Sequence, residues 1–177
     1  MAHPSIEELL ARFQAARRLG AANKSDEEQL RIHRELVETC PAFTPNLLRL
    51  GRLLQLIDEP EVDAEKGFSE IQHLLTQAVR VSDRSAPSLV ELGYFLDDIR
   101  SQADEAFKLY EEGARSALAT LEDAWSGMLR YWTLQRTDDS LRQALQLAAL
   151  AEKLFPPSSR ITRYIEEARE VATLQGL

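Results

Sequence analysis

An internal repeat is the feature that most constrains this chain. The eleven residues from Thr44 to Leu54 align at an offset of 42 with Ala86 to Leu96, and Ile57 and Ile99 extend the match. Pro45, Leu47, Leu50, Gly51 and Leu54 of the first copy meet Pro87, Leu89, Leu92, Gly93 and Leu96 of the second. The start of the chain fits at an offset of 41, pairing Pro4 with Pro45, Ile6 with Leu47, Leu9 with Leu50 and Phe13 with Leu54, with Leu10 in place of the glycine. A fourth copy, at an offset of 36 from the second, puts Trp125, Met128, Leu129 and Trp132 where Leu89, Leu92, Gly93 and Leu96 stand. A unit recurring at such a period is one supersecondary element that buries its apolar face only by stacking on its neighbours.

The unit is helical. Ile6, Leu9, Leu10, Phe13 and Ala16 fall at helical spacing, which predicts a helix over Ser5 to Leu19 with Ser5 and Glu8 as a capping box and Gly20 as its stop. Ser25 and Glu28 repeat the start signal for a helix to Thr39, with Leu30, Val37 and Cys40 inward and Pro41 closing it. Thr44 is expected to cap, and Pro45 to open, a third. The pattern predicts further helices over Ala64 to Val81, Pro87 to Ile99, Ala103 to Leu118, Leu121 to Gln135, Ser140 to Phe155 and Ser159 to Leu174. No strand pattern competes. Connections are short, apart from the acidic stretch Asp58 to Asp63, and short connections make successive helices antiparallel neighbours.

Composition agrees with one packed domain over residues 1–177. The chain is 44% hydrophobic and 28% charged, so it holds enough apolar surface for a core without disulfides or metal. Only seven glycines and seven prolines disfavour turn-rich β folds. The single Cys40 cannot form an internal disulfide. No apolar run approaches the ~18 residues of a membrane span, and Met1 to Leu10 lacks a basic stretch followed by an apolar one, so a cytoplasmic location without membrane attachment is expected. With 21 Lys and Arg against 29 Asp and Glu the net charge is −8, which disfavours nucleic acid as a partner and favours a basic protein.

At these positions the chain resembles the tetratricopeptide repeat family, whose first helix carries a large apolar residue, then Leu-Gly, then an aromatic. Leu47, Leu50-Gly51 and Leu54 follow that spacing, as do Leu89, Leu92-Gly93 and Leu96, and Trp125, Met128-Leu129 and Trp132. Ala144, Ala148, Ala151 and Pro156 match the second-helix pattern, and Ala106 with Tyr110 does so in part. The resemblance covers about Pro4 to Pro156. It implies an all-α fold, a right-handed α-α superhelix (a solenoid) of about four hairpins at 5–40, 44–81, 87–118 and 121–155. A capping helix at 159–174 would follow, with Ile161, Tyr164, Ile165, Ala168, Val171 and Ala172 on its inner stripe.

Catalysis finds no motif: there is no HExxH, P-loop, G-x-S-x-G or dinucleotide-binding glycine pattern. His3, His33 and His73 are scattered, and His33 falls on the inward side of its helix beside Leu30 and Val37. Adjacent carboxylates such as Asp97 and Asp98, or Glu111 and Glu112, diverge by ~100° on a helix and are expected to be solvated. No enzyme activity, cofactor or metal is expected.

The resemblance implies that the first helix of each hairpin lines a concave groove that binds a protein or peptide. The groove residues are Leu48, Arg49, Arg52, Val90, Tyr94, Asp97, Asp98 and Arg130, with Gln55, Glu91, Ser126 and Thr133 beside them. Arg49, Arg52 and Arg130 would grip carboxylates through their guanidinium forks, Tyr94 would be an aromatic anchor, and Leu48 and Val90 an apolar floor. The Lys, Asn and Arg set of chaperone-tail clamps is absent, since Leu48, Val90 and Ser126 occupy key places. A non-catalytic protein-binding scaffold or adaptor is the expected role; a dedicated chaperone, an immunity protein that shields a basic toxin, and a helical ligand-binding or enzymatic bundle stay open as alternatives. So does self-association through Trp125, Tyr131 or Trp132.

Overall fold

The computed structural model describes residues 4–22, 26–57, 63–157 and 159–177. Among them every regular element is a helix: α1 (Ile6–Ala22), α2 (Asp26–Thr39), α3 (Thr44–Leu56), α4 (Ala64–Val81), α5 (Ala86–Asp98), α6 (Ala103–Gln135), α7 (Asp138–Leu154) and α8 (Ile161–Leu174). The expected all-α helical-repeat class holds. The chain divides into two compact units, Met1–Ala114 and Arg115–Leu177, with the division inside α6.

Local chemistry sets the helix ends. Ser5 and Glu8 form the expected reciprocal cap, the Ser5 N–H donating to Glu8 Oε2 at 2.8 Å and the Glu8 N–H to Ser5 Oγ at 3.2 Å. Helix α1 nevertheless continues through Gly20 to Ala22. The expected Ser25 cap, His3 and the stretch from Asp58 to Val62 lie outside the described residues. Thr44 does not cap α3; Phe43 stands at the N-cap without a side-chain bond, and Thr44 and Pro45 are already in the first turn. Asp63 caps α4 by accepting from the Glu65 and Lys66 N–H groups. Helix α7 starts two residues before the expected Ser140, because Thr137 and Ser140 form a capping box that satisfies both ends.

The largest departure is α6, a 33-residue helix where two helices with a break between Leu118 and Leu121 are expected. Residues 116–122 hold no glycine or proline, and Ala117, Leu118, Ala119 and Leu121 are among the best helix formers. Among the described residues eight helices therefore stand where nine are expected.

In unit 1, α1 packs on α2, α3 on α4, and each hairpin on the next through α2 with α3 and α4 with α5. The repeat is reproduced in burial: Thr44 to Leu53 and Ala86 to Phe95 have the same degree of exposure at each of ten positions. Gly51 and Gly93 sit where a Cβ would lie 2.8 Å from Leu75 Cδ2 and 2.6 Å from the Tyr110 ring, so each glycine lets the two helices of its hairpin close together. One cluster joins Leu30, Leu47, Leu50, Leu53, Leu74 and Ala78; a second joins Ile71, Leu75, Leu89, Phe95 and Ala106. Leu48 and Leu54 touch both.

Unit 2 has its own core, in which Leu129, Ala144, Ala148, Ala151, Phe155, Ile161 and Ile165 are buried and Trp125 and Trp132 pack against them. The small alanines of α7 leave room for the two indoles. Met128 is 41% exposed, so the residue at that repeat position does not turn inward. Helix α8 buries Ile161, Ile165, Ala168 and Ala172 with Tyr164 and Val171 at the margin, and α7 packs on it. Glu152 and Arg169 bridge the two helices on the surface.

Candidate functional site

Helices α1, α3 and α5 are the first helices of the hairpins in unit 1, and seven of the eight expected groove residues lie on α3 and α5. Arg130 lies in unit 2, exposed on α6. Leu48 and Val90 are half-buried. Leu48 is absorbed into the two cores, and Val90 Cγ2 reaches to 3.1 Å from where a Gly113 Cβ would stand, so both serve packing as much as any floor. Thr133 is buried with its hydroxyl bonded to the Leu129 carbonyl at 2.8 Å, which removes it from the groove set. Gln55 donates to the Gly51 carbonyl at 3.0 Å.

Tyr94 is 54% exposed, its ring edge-on to Tyr110 at 5.4 Å between centroids. The Tyr110 hydroxyl is buried without a hydrogen-bond partner. Burial first, then the Asp97 and Asp98 carboxylates, pushes that phenol above its ordinary value. Asp97 and Asp98 are exposed in the last turn of α5, at the end where a helix dipole disfavours negative charge. They gain nothing from their own helix.

Arginine and glutamate tie the elements of unit 1 together. Arg34 of α2 pairs with Glu70 of α4 at 2.9 Å, and Arg52 of α3 pairs with Glu91 of α5 through both guanidinium nitrogens of one edge. Arg100 pairs with Glu65 at 2.7 Å, and Arg84 with Glu112. Such exposed pairs contribute about 0–1 kcal/mol each, so they fix register more than stability. The Glu91 carboxylate holds the Arg52 guanidinium above its ordinary value. Arg52 is therefore engaged inside the molecule. Arg49 differs, for its Nε is buried without a hydrogen-bond partner, and burial together with Arg17 and Arg52 lowers its affinity for its proton.

Beneath Arg49 lies a buried polar pair that hydropathy does not separate from the core. His33 Nδ1 donates to Asn46 Oδ1 at 2.6 Å, and Asn46 Nδ2 donates to the His33 carbonyl at 2.9 Å. Both residues are fully buried, and the Phe13 ring stands edge-on to the imidazole at 5.7 Å. Nε2 is left without a partner. Burial, helped by the charge of Arg49 and opposed by the Asn46 bond, holds the imidazole below its ordinary value. The unfolded chain takes up a proton near pH ~6.5 while the folded chain resists it, so this contribution is complete above that pH and is lost as pH falls toward the folded-state value. The unfolding free energy from urea titration should drop between about pH 7.5 and about pH 5.5, with a slope of at most ~1.4 kcal/mol per pH unit from this group. His33→Gln should flatten that slope; an unchanged slope would show that another group carries it.

No three His, Cys, Asp or Glu among the described residues gather as a metal-binding group. No described helix is long and apolar enough to cross a membrane. Cys40 is half-buried just past α2, its N–H bonded to the Leu36 carbonyl at 2.9 Å.

Hairpins that stack at a repeating register, with glycine at the closest approach of their two helices, define a helical-repeat protein. Residues 1–83 match the Myxococcota tetratricopeptide repeat protein family. A Myxococcus xanthus protein described as the uncharacterized 18.1 kDa protein in the carS 3' region is 34% identical over 167 residues, 94% of this chain and 95% of that protein. The chain belongs to this tetratricopeptide repeat family. Repeats of this type generally mediate protein interactions.

Proposed function

We propose that this chain is a non-catalytic, cytoplasmic adaptor that binds a segment of a partner protein along the first-helix face of unit 1. Tyr94 carries the reading: a tyrosine left 54% exposed beside Asp97 and Asp98, on a helix whose Leu89, Leu92, Phe95 and Leu96 are buried. A rigid aromatic of this kind binds at low entropic cost, and the acidic pair next to it complements a basic residue on the partner. A dedicated chaperone or immunity role would use the same face.

Capture from native lysate with the tagged chain, read by mass spectrometry, tests the proposal. One stoichiometric protein is expected with the wild type and its loss with Tyr94→Ala combined with Asp97→Lys, while the melting temperature changes little because these side chains are exposed. Retention of that protein by the double variant would remove the face from the hypothesis. A small molecule copurifying in its place would support the ligand-binding bundle.

A further inference from the structure

We infer that the partner segment carries an Asp or Glu side chain whose carboxylate seats on Arg49 and Arg17, at the α1 end of the same face. The inference rests on the proposed binding face and adds the chemistry of one anchor. One rung links the first helices of two repeats: Arg52 of α3 reaches Glu91 of α5, the residue that aligns with Arg49. One repeat earlier, the residue of α1 that aligns with Arg52 is Ala11, so the rung has no charged group to offer Arg49. Among the described residues no carboxylate pairs with Arg49, although Arg12, Arg34, Arg52, Arg84 and Arg100 of the same unit each have one.

The guanidinium is held there at a cost. Its Nε–H is buried and unbonded, and the nearby Arg17 and Arg52 are like charges, of which only Arg52 is balanced. Arg17 is exposed and lies over the Phe13 ring at 5.9 Å, which leaves its charge available to an incoming anion. A planar carboxylate supplies what both need: acceptors for guanidinium N–H groups at the surface and a negative charge between two cations. The overall charge of −8 points toward basic partners, but this corner of the face selects the opposite sign.

The test uses fluorescein-labelled decapeptide pools, blocked at both ends and random except for a central pair fixed as Glu-Glu, Gln-Gln or Lys-Lys, with anisotropy as the readout. The Glu-Glu pool is expected to bind best, and Arg49→Met to weaken it about tenfold to a hundredfold, the range of a lost charge-assisted bond. Arg80→Gln, at an exposed position of α4, should leave it unchanged. In the free protein Arg49→Met should raise the melting temperature by about 2–4 °C, since an unbonded buried donor and a like-charge contact are removed. Equal binding of the Glu-Glu and Gln-Gln pools, an Arg49→Met variant that holds the Glu-Glu pool as tightly as the wild type, or no binding by any pool would overturn the acidic anchor. The binding face itself stands or falls separately, by whether Tyr94→Ala weakens every pool and abolishes lysate capture.

Discussion

Thr120→Pro is expected to lower the melting temperature by about 6–12 °C, the consequence of ~3 kcal/mol lost from the interior of a continuous helix in a chain of this size. Thr120 lies midway along α6, and its hydroxyl donates to the Ser116 carbonyl at 3.1 Å. A proline there removes the backbone donor to that carbonyl and drives its ring against it. Were residues 118–121 a connection between two helices, as the repeat alignment alone suggests, proline would stand at the start of the second helix, where its missing N–H costs little. Differential scanning fluorimetry and far-ultraviolet circular dichroism decide between them. A melting curve within about 1 °C of the wild type would restore the two-helix reading.

That contrast shows what the sequence discloses and why the remainder stays hidden. Helix existence follows from apolar spacing, and ends marked by Pro45, Pro87 or Ser5 with Glu8 fall within a residue or two of their expected places. The break near Leu118 rests on a repeat register and not on a breaking residue, and local propensity prevailed. In the same way Met128 sits in register with Leu92 yet faces solvent, because register carries over only where a neighbouring hairpin covers the same side. The groove set is legible as positions but not as states. Whether Arg49 and Arg52 are free depends on Glu91, two helices' length away in sequence, and on the alanine that α1 places at the matching position. Asn46, one residue before the apolar pattern begins, gave no signal; its role needs His33, thirteen residues earlier, to be seen beside it.

Gly51→Leu should cost about 2 kcal/mol, after ~1 kcal/mol of improved helix propensity is set against overpacking. The new Cβ would meet Leu75 Cδ2 at 2.8 Å and Cγ at 3.2 Å, and Leu75 is fully buried, so it can yield only by displacing α4 from α3. Gly93→Leu should cost less, although its Cβ would stand closer, 2.6 Å from the Tyr110 ring. Tyr110 is half-buried and can swing toward solvent, giving up its edge contact with Tyr94. Gly127→Leu is the control, since a Cβ there meets nothing within 4 Å, and it should raise stability by about 0.8 kcal/mol through propensity alone. Denaturant midpoints should therefore rank Gly51→Leu below Gly93→Leu, and Gly93→Leu below wild type, with Gly127→Leu above it. Equal midpoints for the first two would mean that Leu75 is as free to move as Tyr110. A gain at Gly51 would mean that the hairpin is not closed on that glycine, and the repeat register built on it would fail with it.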